Sequence, residues 1–237
     1  MRIEPRKVDC GERGAVSVVI AYPDQFEAGH RTAVILAHGA GNDMTNPLLS
    51  AVHEGLAGRG FLSVKFNFLY TERGRRAPDP APVLEDCYRR VLAAVRNDST
   101  LAPAALIIGG KSMGGRMATH LAAQGEAVHG LLLLGYPLHP AGQPTKLRVA
   151  HLSAITAPML FFAGTRDALC SLDLLKHTLR SLPRATLHVV DGGDHSFNLP
   201  KALKRSPAEV IDELVSASTR WLHEIVPPAT TEVRHGR

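Results

Sequence analysis

Gly110-Lys111-Ser112-Met113-Gly114 stands between an apolar run, Ala104–Ile108, and a stretch of helical character, Arg116–Ala123. Passing from strand to helix within so few residues forces the central serine into a strained backbone geometry. It also leaves no room for side chains two positions to either side, which is why glycines flank the turn. Such a turn lifts the Ser112 hydroxyl clear of the chain and aims a helix N-terminus at negative charge developing beside it. Two other glycine-rich turns are excluded by single residues. A phosphate loop ending in Gly110-Lys111-Ser112 needs a glycine where Ala105 stands, and a dinucleotide fingerprint at Gly39 and Gly41 needs one where Met44 stands.

The chain around this turn alternates. Strands are predicted at Val16–Tyr22, Thr32–His38, Phe61–Phe66, Ala104–Gly109, His129–Leu134, Pro158–Ala163 and Thr186–Val190. Helices are predicted at Asn46–Arg59 and Val83–Arg96, from Ser112, near Leu172–Leu182, and from about Ser206 to Ile225. This is the signature of an α/β fold: a mostly parallel central sheet with helices on both faces. Residues 1–226 read as a single domain with no internal repeat, Thr71–Pro82 as a loop, and 227–237 as a disordered tail. Only about twenty residues, from Tyr136 to Ala157, join the strand ending near Gly135 to the next. They suffice for a loop and a short helix, not for a cap domain.

A serine hydroxyl needs a base to take its proton and a third group to orient that base. Asp167 falls in the turn leaving Pro158–Ala163, and His195 in the glycine-rich loop after Thr186–Val190. Both are thus expected at the carboxyl ends of neighbouring strands, where open α/β sheets bind ligands. Asp173 and Asp194 remain alternatives for the acid. Of the 12 histidines, His195 is the one in a glycine-rich loop after the last predicted strand; His120, His177 and His223 fall in helical stretches. The Met113 N–H and that of Ala40 or Gly41, in the small-residue loop after Thr32–Ala37, are the expected oxyanion donors. His38, Tyr136 and Leu138 are expected to line the substrate site; the stretch from Tyr136 to His139 forms either one wall of it or a loop packed for stability.

Composition narrows the class. The 237 residues are enough for a large core, and no apolar run approaches a membrane span. The start, Met1–Lys7, lacks the apolar core of a signal peptide. Three scattered cysteines (Cys10, Cys87, Cys170) argue against a disulfide framework and for a reduced, cytoplasmic protein. The net charge of +5 gathers at Arg73, Arg75 and Arg76 and at Lys201, Lys204 and Arg205. With aromatics at 5% and no recognised nucleic-acid motif, this reads as a solvated basic face and argues against a nucleic-acid partner. The histidines and cysteines show no metal-ligand spacing, so neither metal nor cofactor is expected.

The loop His38–Met44, the elbow Gly110–Arg116, the stretches Tyr136–Pro140, Lys146–Arg148 and Pro158–Gly164, and Asp194-His195-Ser196 together resemble one subgroup of the α/β-hydrolases. That subgroup includes the testis-expressed hydrolase-like proteins, a subunit of a nuclear histone-acetyltransferase complex and many bacterial proteins. The resemblance covers roughly residues 32–225 and implies the α/β-hydrolase fold, with Ser112, Asp167 and His195 as triad. It implies no substrate, and its complex-subunit branch implies that the scaffold also serves as a binding module. More distantly the chain is similar to dienelactone-hydrolase-like proteins, whose nucleophile is cysteine; Ser112 argues against that chemistry.

The expected function is hydrolysis of small to medium-sized carboxylic esters through an acyl-enzyme. The alternatives are a thioesterase or peptidase with the same triad, or a noncatalytic interaction protein. The sequence leaves oligomeric state and acyl-chain length open.

Overall fold

The structure is a computed structural model that describes residues 1–27 and 31–226; the tail expected at 227–237 lies outside the described residues. One eight-stranded sheet runs through it: β1 (Arg2–Asp9), β2 (Ala15–Tyr22), β3 (Thr32–Ala37), β4 (Leu62–Phe66), β5 (Ala105–Lys111), β6 (Gly130–Leu134), β7 (Met159–Gly164) and β8 (Ala185–Val190). The spatial order is β1-β2-β4-β3-β5-β6-β7-β8. β1 and β2 pair antiparallel, as do β2 and β4, and every pairing from β4 through β8 is parallel.

Alternation along β3 shows how the sheet serves two cores. Ala33, Ile35 and Ala37 face one cluster, Val34 and Leu36 the other, and all five are buried. The first face is covered by α3 (Ala81–Asn97), α4 (Met113–Ala123) and α5 (Leu172–Leu179) through side chains such as Leu84, Val91, Met117, Leu121 and Leu175. The second is covered by α1 (Pro47–Gly58) and α6 (Pro207–Ile225), through Leu49, Val52, Leu56, Leu214 and Trp221. Each fully buried aliphatic or aromatic side chain contributes about 1.5–3 kcal/mol, so the sheet is fixed from both sides. Helix starts follow local chemistry. Asn46 caps α1 by accepting the Leu49 N–H, and Ser206 and Glu209 form a reciprocal capping box at α6.

β1 was not predicted. Its sequence is mostly polar and contains Pro5, which an edge strand tolerates. The predicted loop Thr71–Pro82 begins inside a single turn, α2 (Leu69–Glu72), and ends inside α3, whose first turn holds Pro82. Between β6 and β7 the described chain makes only a 3-10 turn at Leu152–Ala154, so no cap domain stands over the sheet.

Candidate active site

The glycine-flanked serine sits where the sequence places it, between β5 and α4, and its backbone carries the strain. Ser112 has φ 52° and ψ −116°, a region that costs a non-glycine residue free energy. The flanking glycines are required by contact: a Cβ on Gly110 would stand 2.1 Å from the Ala37 carbonyl oxygen, and one on Gly114 2.3 Å from the same atom. The turn is therefore pressed directly onto the end of β3. Tyr88, fully buried on α3, fixes the approach. Its hydroxyl receives the Gly109 N–H (2.8 Å) and lies within donating distance of the Ile35 (2.8 Å) and Gly109 (2.7 Å) carbonyls.

Ser112, His195 and Asp167 come together at the carboxyl ends of β5, β8 and β7. Ser112 Oγ lies 2.8 Å from His195 Nε2, and His195 Nδ1 lies 2.8 and 2.9 Å from the two Asp167 oxygens. A carboxylate accepts, so Nδ1 carries the proton, and Nε2 presents its lone pair to the serine hydroxyl. The Asp167 side chain has no solvent exposure, and its Oδ1 also accepts the Leu169 N–H (2.8 Å). The alternative acids are placed elsewhere. Asp173 is exposed in the first turn of α5. Asp194 shapes the histidine loop by accepting the Ser196 (2.7 Å) and Asn198 (2.9 Å) N–H groups. Burial pushes the Asp194 pKa up, but these donors outweigh it and hold the carboxyl below its ordinary range.

Lys111, immediately before the nucleophile, is buried with its charge facing Asp167 and Asp194; burial lowers its pKa and the two carboxylates oppose that shift. The Met113 N–H opens α4 and, among the described residues, has no acceptor; the same holds for Ala40. Tyr70, its pKa pushed up to about 12 by burial, donates its hydroxyl to the Gly39 carbonyl (3.4 Å). Neither of the two predicted loop donors, the Ala40 and Gly41 N–H groups, has an acceptor among the described residues.

The expected lining residues are buried in the fold. His38 is completely buried: its Nε2 accepts the Phe68 N–H (3.1 Å), its Nδ1–H donates to the Gly39 carbonyl (2.9 Å), and its ring packs on Phe68 and Tyr70. Burial lowers its pKa, which keeps this brace neutral. Tyr136 donates its hydroxyl to the Arg148 carbonyl (2.7 Å) and packs on Phe161, and Leu138 is wholly buried. His139 accepts the Ser171 N–H (3.1 Å). The Tyr136–His139 stretch is therefore packed for stability, because its polar groups are satisfied inside the fold. A cavity of about 600 Å³ opens between the N-terminal ends of α1 and α6, walled by Leu48, Phe197, Leu199 and Ile211; Ser196 reaches it, but none of Ser112, His195 and Asp167 lines it.

A mostly parallel sheet with a serine on a strained strand-to-helix turn and later-strand acid and histidine loops is the architecture of the α/β hydrolases. The sequence model of the alpha/beta hydrolase domain family matches residues 30–223, and the chain belongs to that family. Solved structures of low identity share the fold. An α/β serine hydrolase without a lid from Xanthomonas campestris is 22% identical, with a TM-score of 0.71 over 93% of this chain and 95% of that one. A dienelactone hydrolase from Anabaena variabilis is 19% identical, with a TM-score of 0.73 over 94% and 97%. Est1E from Butyrivibrio proteoclasticus is 13% identical, with a TM-score of 0.75 over 94% and 98%.

Proposed function

We propose that the protein is a serine hydrolase that cleaves carboxylic esters of small to medium size. The observation that carries this reading is the unbroken chain Ser112 Oγ, His195 Nε2, His195 Nδ1, Asp167, with every link within 2.9 Å. His195 Nε2 takes the hydroxyl proton as Ser112 Oγ attacks the ester carbonyl. The resulting oxyanion is received by the Met113 N–H and that of Ala40 or Gly41, each such donor being worth about 2.7–4 kcal/mol in the transition state. Asp167 holds the imidazole tautomer and stabilises its cation. The imidazolium then protonates the leaving alkoxide as the C–O bond breaks. Water, deprotonated by the same His195, releases the acyl group and restores Ser112.

The lidless description of the Xanthomonas neighbour and the absence of a cap between β6 and β7 both support a site open to small, soluble esters. The motif resemblance to the testis-expressed hydrolase-like subgroup supports the same triad. Three buried free cysteines suit a reducing compartment, the cytoplasm. Labelling with a fluorophosphonate probe tests the central claim. Wild type is expected to be labelled at Ser112, whereas Ser112→Ala and His195→Ala are not. Folded wild type that resists the probe would remove the activated serine from the argument.

A further inference from the structure

On the β6 side of the nucleophile, α4 packs against the chain between β6 and β7 and brings Arg116 and Arg148 to one region. Arg116 lies one turn into α4, and its N–H donates to the Ser112 carbonyl (3.0 Å). Arg148 is delivered to the same region by the chain between β6 and β7: its N–H donates to the Leu138 carbonyl (2.8 Å), and its own carbonyl accepts the Tyr136 hydroxyl. That segment leaves directly from the site, because the Ser112 N–H donates to the Leu134 carbonyl (2.9 Å) and a Cβ on Gly135 would stand 2.9 Å from the His195 carbonyl oxygen.

Burial lowers the Arg148 pKa and the positive charge of Arg116 lowers it further, while both arginines oppose the burial that raises the Tyr136 pKa. His151 adds no charge at neutral pH, since burial, His120 and Arg116 pull its pKa down to about 4. It braces Arg116 instead: its Nε2–H donates to Thr119 Oγ1 (2.8 Å), whose hydroxyl donates to the Arg116 carbonyl (2.7 Å).

Some other arginines meet carboxylates, as Arg13 meets Asp86, Arg59 meets Asp212 and Arg96 meets Glu126. Among the described residues, neither Arg116 nor Arg148 does. The one acid acting on His151, Glu85, is already held by His120 (2.7 Å) and Gln124 (2.8 Å). Arg116 Nε is buried with no hydrogen-bond partner, the kind of orphan donor that a native interior keeps for a ligand or ordered water. Packing two like charges together without a counterion is electrostatically unfavourable, and an arriving anion reverses the sign of that term.

We propose that Arg116 and Arg148 form an oxyanion-recognising subsite, so that the ester hydrolysed at Ser112 carries a carboxylate or a phosphate on the β6 side of its scissile carbonyl. This deepens the ester-hydrolase reading and rests on it. Guanidinium forks match the planar oxygens of either group, whereas Arg73, Arg75 and Arg76 are exposed.

Two assays separate this subsite from the catalysis it serves. The first compares mono-p-nitrophenyl glutarate with p-nitrophenyl butyrate, a neutral ester of similar length. Wild type is expected to prefer the glutarate in kcat/KM, and the glutarate-to-butyrate ratio is expected to fall by about ten- to hundredfold in Arg116→Gln and Arg148→Gln. Arg148→Lys, which keeps the charge and loses the fork, retains part of the preference. A ratio unmoved in both glutamine variants overturns the subsite. The second assay needs no turnover: Ser112→Ala protein is titrated calorimetrically with glutarate and, separately, with inorganic phosphate. Binding of one, lost when Arg148→Gln is added, identifies the oxyanion. Binding of neither overturns the proposal even if butyrate is turned over. Binding without turnover of any ester by wild type leaves the anion site standing and removes the ester-hydrolase reading.

Discussion

Asp167 holds His195 Nδ1 with both carboxylate oxygens, at 2.8 and 2.9 Å, from a position wholly shut off from solvent. The grip fixes which ring nitrogen faces the serine. Asp167→Asn presents an amide in place of one acceptor oxygen, and an amide N–H facing Nδ1 stabilises the wrong tautomer. On the precedent of other triads, kcat for p-nitrophenyl butyrate is expected to fall by about ten-thousandfold with the fold retained. A loss below tenfold would mean that His195 is oriented by something else.

Crowding at the elbow is checked by two glycines that differ in their surroundings. A Cβ at position 114 meets the Ala37 and His38 carbonyl oxygens at 2.3 and 2.7 Å, both backbone atoms that cannot step aside. Gly114→Ala is expected to cost at least about 3 kcal/mol in urea unfolding. Gly58, in α1, has nothing within 4 Å of its would-be Cβ, and Gly58→Ala is expected to stabilise by about 0.5–1 kcal/mol. Equal effects at the two sites would contradict the packing described for the turn.

Among the described residues, the Tyr88 hydroxyl is the one side-chain group that joins β3 to β5 just before Ser112. Removing it leaves the Gly109 N–H without its partner in a dry interior. Tyr88→Phe keeps the ring and is expected to cost about 1–3 kcal/mol, or several degrees in Tm for a domain of this size. Fluorophosphonate labelling is expected to slow as well, because the strand leading into the elbow loosens. A Tm unchanged within a degree would show that water replaces the hydroxyl.

What the sequence made legible was set by local rules. Ser112, Asp167 and His195 each follow an apolar run that can only be a buried strand, so their positions at strand ends were readable before any contact was known. β1 was not readable, since Ile3 and Val8 are its only aliphatic residues besides Pro5, and it lies at the sheet edge where burial asks little of a strand. The burial of His38, Tyr136 and Leu138 was unreadable for another reason. Whether a residue next to a site faces the substrate or the core depends on partners such as Phe68 and Arg148, which are distant or unrecognisable in sequence. The arginine pair was visible only as two motif positions, because its convergence needs the Tyr136–Ala157 connection to fold back on α4.

His53 makes stability depend on pH well above the carboxylate range. It is completely buried between α1 and β4, with Nδ1 2.8 Å from Ser63 Oγ and Nε2 without a partner. Burial, and then the Lys65 charge, pull its pKa down to about 3. An unfolded chain takes up the proton near pH 6.5, while the folded chain refuses it until about pH 3. Between these values the unfolded state binds more protons, so the contribution is fully present above pH 6.5 and is lost as the pH falls. At pH 5 the loss amounts to about 2 kcal/mol. His53→Gln keeps a hydrogen-bonding side chain and removes the titration, whereas His151 and the carboxylates titrate in both proteins. Urea unfolding from pH 7.5 to 5 is therefore expected to weaken wild type more steeply than the variant, by about that amount. Parallel pH profiles for the two proteins would show that His53 takes up its proton without opening the interface between α1 and β4.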